Sequence, residues 1–294
     1  MASSQSKLFT ILLQMINKKK LLKRQLASRR FDLFSCPEPP VSLSKTCQVY
    51  RFQVKGRNVF RLQPKGKSSS KHILYLHGGA YIQSFVRFHW YFLAALVNAV
   101  NCTITVPDYP LAPAYTYTDS FAMVLDLYRQ LLSAVDTNDL IIMGDSSGGG
   151  FALALAQKIR DEHIPQASQI ILLSPWLDIT LSNPDINDLD PVDPFLEKES
   201  LQQAGKLYAG DTNPDHYLLS PINGDIEHLG KMTVFAGSKE ILVADARKLK
   251  SLADSKGVDL TYFEYADMFH AWMLLRFPEA KKARQQIIDL IGRS

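Results

Sequence analysis

From residue 46 onward the chain alternates short β-branched runs with longer helix-patterned stretches, and this rhythm restricts its fold more than any other feature. Strand-like runs stand at 48–54, 58–63, 72–77, 102–107, 140–144, 169–174, 232–237 and 260–265. Several, such as "HILYLH" and "QIILLS", are almost continuously apolar, as strands are when a parallel sheet buries both their faces. Helical patterns at 85–100, 120–135, 147–162, 241–255 and 279–291 fill the gaps. Only three residues, "KGR" at 55–57, separate the first two runs, short enough for an antiparallel hairpin. The expected fold is α/β: an eight-stranded, mostly parallel sheet flanked by helices and connected by right-handed crossovers.

Two segments stand outside the rhythm. Residues 178–220 carry Asp178, Asp185, Asp188, Asp190 and Asp193 among prolines, with one helical stretch and no strand. An insertion of this length between the sixth and seventh strands reads as a lid or cap. Residues 1–45 hold nine Lys or Arg against Asp32 and Glu38, whereas the whole chain of 294 residues is only +4. The expected organisation is therefore a basic helical cap segment over 1–45 and one domain over 46–294 with 178–220 inserted. Acidic and basic segments either pack together above the sheet or remain two solvated faces of opposite sign.

The charge balance is too weak to indicate a nucleic-acid partner. Three cysteines (Cys36, Cys47, Cys102) are odd in number and lack metal spacing, which fits a reducing compartment without a disulfide framework. The apolar run "LFTILLQMI" at 8–16 is followed by Lys18, Lys19 and Lys20 where a signal peptide would have a small-residue cleavage site. It is also far short of the ~20 residues that cross a bilayer. A cytoplasmic protein beginning with one basic amphipathic helix over 8–26 is expected.

"IIMGDSSGGGFALALA" at 141–156 places a knot of Gly, Asp and Ser between a strand and a helix. Gly144-Asp145-Ser146-Ser147-Gly148 fits G-x-S-x-G, in which the central serine sits on a strained turn with its Oγ projecting. The register selects Ser146 as nucleophile. No Lys follows the glycines, as a phosphate-binding loop would require. After the third strand, "YLHGGAYI" brings Gly78 and Gly79, whose N–H groups, with that of Ser147, are candidate donors to a tetrahedral oxyanion.

"HGGA" (77–80), "DYPLAPA" (108–114), "GDSSGG" (144–149) and "SPWLD" (174–178) occur in that order. On these motifs the chain resembles the hormone-sensitive-lipase-like family of α/β-hydrolase esterases and is similar to its small bacterial carboxylesterases. It departs from the family at Ala80, Pro110 and Ala114, which stand where a third glycine, an arginine and a glutamate are usual. The resemblance implies a triad in the chain order serine, acid, histidine. His270, in "YADMFHAW", is the histidine beyond the seventh strand, and the family's acid position falls on Glu240. Asp245 and, more remotely, Asp267 are the alternatives. Tyr81, following the oxyanion loop, is a candidate substrate-binding residue.

The resemblance implies a serine carboxylesterase acting on small-molecule, short-chain acyl esters, with no metal or cofactor, and a homodimer through the last helix and strand. Two other readings stand beside it. One is a lipase-like esterase whose basic N-terminal helix contacts a membrane surface. The other is a non-catalytic ligand binder on the same fold, which intact Ser146 and His270 disfavour.

Overall fold

The computed structural model describes residues 2–32 and 34–293. Its sheet has eight strands: β1 (Gln48–Val54), β2 (Arg57–Gln63), β3 (His72–Leu76), β4 (Thr103–Pro107), β5 (Leu140–Asp145), β6 (Gln169–Leu173), β7 (Lys231–Gly237) and β8 (Leu260–Tyr265). The spatial order is β1-β2-β4-β3-β5-β6-β7-β8. β1 and β2 pair antiparallel, β2 pairs antiparallel with β4, and every other neighbour is parallel. The hairpin closes through Lys55 and Gly56, both at positive φ (47° and 74°), a backbone twist that suits a two-residue β-turn.

Nine helices are described: α1 (Ser4–Met15), α2 (Leu21–Ser28), α3 (Arg87–Val100), α4 (Tyr117–Leu132), α5 (Ser147–Asp161), α6 (Ile186–Leu189), α7 (Lys198–Ala209), α8 (Val243–Lys256) and α9 (Pro278–Arg293). The strands feed two cores by simple alternation. Leu74, Leu76, Ile142, Ile170 and Leu172 face α4, α5, α7 and α8; Ile73, Tyr75, Ile141, Met143 and Ile171 face α3 and α9. This period of two, with both faces buried, is why the strands read as unbroken apolar runs.

The topology also fixes where chemistry can occur. From β3 the chain moves to β4 on one side and then crosses to β5 on the other. The loops leaving β3 and β5 therefore diverge at a crevice beyond the carboxyl ends of the central strands.

The expected single helix over 8–26 is two helices. Asn17 adopts a left-handed conformation (φ 53°, ψ 47°), and Lys18–Lys20 tighten into a 3-10 turn before α2 begins. Asparagine is among the few non-glycine residues that enter this region readily, so the periodicity of the segment conceals the break. α1 is anchored at its start, where Ser3 Oγ donates to Glu279 Oε2 at 2.8 Å, and along its body, where Phe9 stacks on Phe269 at 5.5 Å. α2 packs on α7. Lys19 pairs with Asp190 at 3.1 Å and Lys23 with Glu199 at 2.9 Å, so the basic segment lies against the acidic insertion. Among the described residues no helix is long and apolar enough to cross a membrane.

Candidate active site

Ser146 sits between the last residue of β5 and the first of α5, at φ 55° and ψ −124°. That conformation is costly for a residue with a Cβ, and the surrounding hydrogen bonds over-determine it. Ser146 N–H donates to Leu173 O at 2.8 Å, while its carbonyl accepts from Gly149 N at 3.0 Å and Trp176 N at 2.9 Å. The flanking glycines are required by contact. A Cβ on Gly148 would stand 2.0 Å from Leu76 O, so no larger residue lets α5 start this close to β3.

His270 follows β8 and Glu240 follows β7. The His270 Nε2 lies 2.9 Å from Ser146 Oγ, and its Nδ1 lies 2.5 Å from Glu240 Oε2. A carboxylate only accepts, so Nδ1 carries the ring proton and Nε2 is the acceptor that faces the serine hydroxyl. Glu240 is fully buried; its second oxygen accepts from Gly237 N and Ser174 Oγ, each at 2.8 Å. Ser174 in turn accepts from Ala271 N at 3.2 Å, beside His270.

The alternative acids are occupied elsewhere. Asp245 lies on α8 and accepts from Asn183 Nδ2 at 2.9 Å, with Oδ2 unpartnered among the described residues. Burial pushes its carboxyl up to about 6. Asp267 pairs with Lys239 at 2.8 Å, and the ammonium lowers its pKa.

The loop after β3 requires a correction to the donor set. Gly78 N–H donates to Asp145 Oδ1 at 2.9 Å and is therefore committed. The N–H groups of Gly79, Ala80 and Ser147 find no acceptor among the described residues, whereas Tyr81 N–H reaches Ser147 Oγ at 3.3 Å. Gly79 at φ 131° and Ala80 at φ 54° turn the backbone sharply here. A Cβ on Gly78 would stand 2.9 Å from Ser146 Cβ, so this loop abuts the serine turn. The uncommitted donors on the two segments that meet at Ser146 are thus Gly79, Ala80 and Ser147.

Asp145 also accepts from Tyr75 OH at 2.6 Å and lies 3.2 Å from His89 Nε2. Val86 N–H donates to His89 Nδ1, so Nε2 is the protonated nitrogen. Burial opposes the Asp145 charge, but His89, Tyr75 and Gly78 outweigh it and hold the carboxyl down at about 2.

Tyr81 does not present an open binding surface. It is 1% exposed, and its ring stacks on Tyr208 of α7 at 3.8 Å and lies 5.6 Å from Trp176. It forms part of the packed floor beneath the insertion.

Other residues at the site carried no local signal of a role. Asp193 was one acid among several in the insertion. Its Oδ1 accepts from Phe195 N and Leu196 N, and its Oδ2 accepts from Ile241 N at 2.9 Å, which ties the insertion to the residue after Glu240. Phe195 lies 5.5 Å from the His270 ring, and Lys18 Nζ stands 4.0 Å from the Phe195 ring centre. Ser174 opens the "SPWLD" motif, but only the folded chain brings it to Glu240.

Comparison with known proteins gives a consistent picture. A family model described as alpha/beta hydrolase fold matches residues 73–274. An esterase of Acinetobacter venetianus is 32% identical over 76% of this chain and 75% of its own length. An acetyl-hydrolase of Streptomyces hygroscopicus is 29% identical over 74% of each chain. The crystal structure of an esterase from the bacterial hormone-sensitive lipase family superposes with a TM-score of 0.83 at 27% identity, covering 100% of this chain and 99% of that one.

Proposed function

The chain belongs to the α/β-hydrolase family, among its hormone-sensitive-lipase-like esterases, and from that membership we propose that it hydrolyses short-chain carboxylic esters through an acyl-enzyme on Ser146. The observation that carries the proposal is the continuous line from Ser146 Oγ to His270 Nε2 (2.9 Å) and from His270 Nδ1 to Glu240 Oε2 (2.5 Å).

Ser146 Oγ bonds to the ester carbon as its proton passes to His270 Nε2. Glu240 keeps the ring in the tautomer that can accept this proton and stabilises the resulting imidazolium. The N–H groups of Gly79, Ala80 and Ser147 receive the developing oxyanion, each such donor contributing about 3–4 kcal/mol. The ester C–O bond breaks and His270 returns the proton to the leaving alkoxide. Water then bonds to the acyl carbon, giving its proton to the same nitrogen; the bond to Oγ breaks and Ser146 recovers its hydrogen. In this reading the N-terminal segment and residues 178–220 roof the acyl site.

Hydrolysis of p-nitrophenyl esters from C2 to C12 tests the proposal. The rate should be highest at the short end, and Ser146→Ala and Glu240→Ala should each lower kcat by several orders of magnitude, about 10⁴-fold or more for the serine. Absence of wild-type activity on every ester would refute it.

One observation supports a second contact. Leu8, Ile11, Leu12, Met15 and Ile16 recur at helical spacing along one face of α1 and its end, and all are exposed, from 47% to 78%. Exposed Lys20 and Arg24 follow this face in the chain, a combination that suits the boundary of an anionic bilayer. Full-length protein should co-sediment with phosphatidylcholine–phosphatidylglycerol vesicles at low salt, and Leu12→Glu with Met15→Glu should abolish binding. Equal binding by the double variant would remove this contact from the account.

A further inference from the structure

Lys18 occupies the turn between α1 and α2, where the basic segment meets the insertion. Two neighbouring lysines find carboxylates, Lys19 at Asp190 and Lys23 at Glu199, while Lys20 is exposed to solvent. Lys18 forms no ion pair and donates no hydrogen bond among the described residues; its ammonium stands 4.0 Å from the centre of the Phe195 ring. The same ring lies 5.5 Å from His270, so ammonium and imidazole stand beside one aromatic side chain. Asp193 attracts Lys18 through space without an ion pair between them, and its hydrogen bonds run to the N–H groups of Phe195, Leu196 and Ile241.

Lys18 is also half-buried, and desolvation lowers its pKa to about 8, partly offset by Asp193. A partly desolvated ammonium with three donors and no acceptor is unfavourable unless something else compensates it. The aromatic face supplies part of that compensation. A substrate bearing its own negative charge supplies the remainder. One compact ammonium, without an arginine fork beside it, suits a singly charged carboxylate better than a dianionic phosphate.

We propose that Lys18 is a specificity-determining residue of the ester site and receives a carboxylate carried by the substrate. The preferred esters then bear a carboxylate a few bonds from the scissile carbonyl, reaching past Phe195 to the cap. This rests on ester hydrolysis at Ser146, as proposed above.

The test compares kcat/KM for p-nitrophenyl hemisuccinate, hemiglutarate and hemiadipate with the neutral butyrate, valerate and hexanoate. A second arm puts the charge on the alcohol, comparing the butyryl ester of 3-hydroxybenzoate with phenyl butyrate. The readout is the anionic-to-neutral ratio within each enzyme, so that any common loss of activity cancels. In Lys18→Met this ratio should fall about tenfold or more on at least one arm, mainly through KM, and Lys18→Arg should retain part of it. Free glutarate should likewise inhibit neutral-ester hydrolysis by wild type competitively and become a weaker inhibitor of Lys18→Gln. An unchanged ratio on both arms would overturn the inference while leaving ester hydrolysis standing, and Lys18 would then serve only to seat the cap on Phe195. No hydrolysis of neutral or anionic esters by wild type would overturn both.

Discussion

Asp145 accepts the N–H of Gly78 at 2.9 Å, so one carboxylate holds the loop after β3 against the turn that carries Ser146. Two chain segments with no sequence proximity thereby keep a fixed spacing, and the placement of the loop's N–H donors relative to Ser146 depends on it. His89 and Tyr75 complete the network from the core side.

Replacing that carboxylate with its isosteric amide should expose the dependence. In Asp145→Asn an NH₂ must face either the Tyr75 and Gly78 donors or the protonated Nε2 of His89. Donor meets donor on one side whichever way the amide turns. The expected result is a kcat lowered about 10- to 100-fold with little change in KM, and a stability loss of about 2–3 kcal/mol by denaturant titration at pH 7. Because the folded carboxyl lies below its ordinary pKa, at about 2, its stabilisation is present above pH ~4 and is lost as pH falls toward 2. The stability gap between wild type and variant should therefore narrow over that acid range. An unchanged kcat would remove Asp145 from the positioning of Ser146.

Ser174 acts one step further back. Its hydroxyl donates to Glu240 Oε1 at 2.8 Å and accepts from Ala271 N at 3.2 Å, so it holds the acid and the residue after His270 together. Ser174→Ala leaves Oε1 with Gly237 N alone. Steady-state kinetics on a butyrate ester should show kcat reduced about 5- to 20-fold with KM nearly constant, as expected from losing one charge-assisted hydrogen bond worth about 1–2 kcal/mol. A matched rise in KM would instead indicate a disturbed substrate pocket.

The sheet was legible because burial on both faces leaves one signature, nearly continuous apolar runs, and β3 to β6, buried at every position, carry it. Ser146 was legible because a strained strand-to-helix turn admits few residues beside it. What escaped the sequence was decided by tertiary partners. A pair of glycines announces backbone freedom but not which N–H is spent, and the Asp145 carboxylate takes that of Gly78. Tyr81 beside a glycine turn looks accessible until Tyr208, more than a hundred residues away in sequence, stacks on it. Lys18 is indistinguishable from Lys19 and Lys20 as a sequence; folding gives Lys19 a carboxylate and Lys18 an aromatic ring.

The break in the N-terminal helix should be energetically specific to Asn17. Its left-handed conformation is accessible to Asn and Gly, whereas a β-branched side chain collides with the following carbonyl. Asn17→Gly is expected to remain within about 0.5 kcal/mol of wild type, and Asn17→Val to lose about 1–2 kcal/mol, by equilibrium denaturation. Equal stabilities for the two variants would mean that the turn between α1 and α2 is not held by this residue.

Asp245 offers the sharpest test of Glu240 as the proposed acid of the triad. It is 1% exposed, and among the described residues it has no cationic hydrogen-bond partner and keeps one oxygen unpartnered. Burial raises its carboxyl to about 6, with Asp178 reinforcing the shift and Asn183 opposing it. A folded pKa above the unfolded one means that the folded state holds the proton more tightly. The resulting stabilisation is full below pH ~4 and is lost as pH rises through about 6, amounting to on the order of 2–3 kcal/mol. Asp245→Asn removes this titration while its Oδ1 still accepts from Asn183. The variant should therefore gain stability relative to wild type as pH rises from 4.5 to 8, several degrees in Tm, and its kcat on a butyrate ester should stay within about twofold. If instead Asp245→Asn abolished hydrolysis while Glu240→Gln did not, the acid of the triad would be Asp245, and the 2.5 Å contact between Glu240 and His270 would have to be structural.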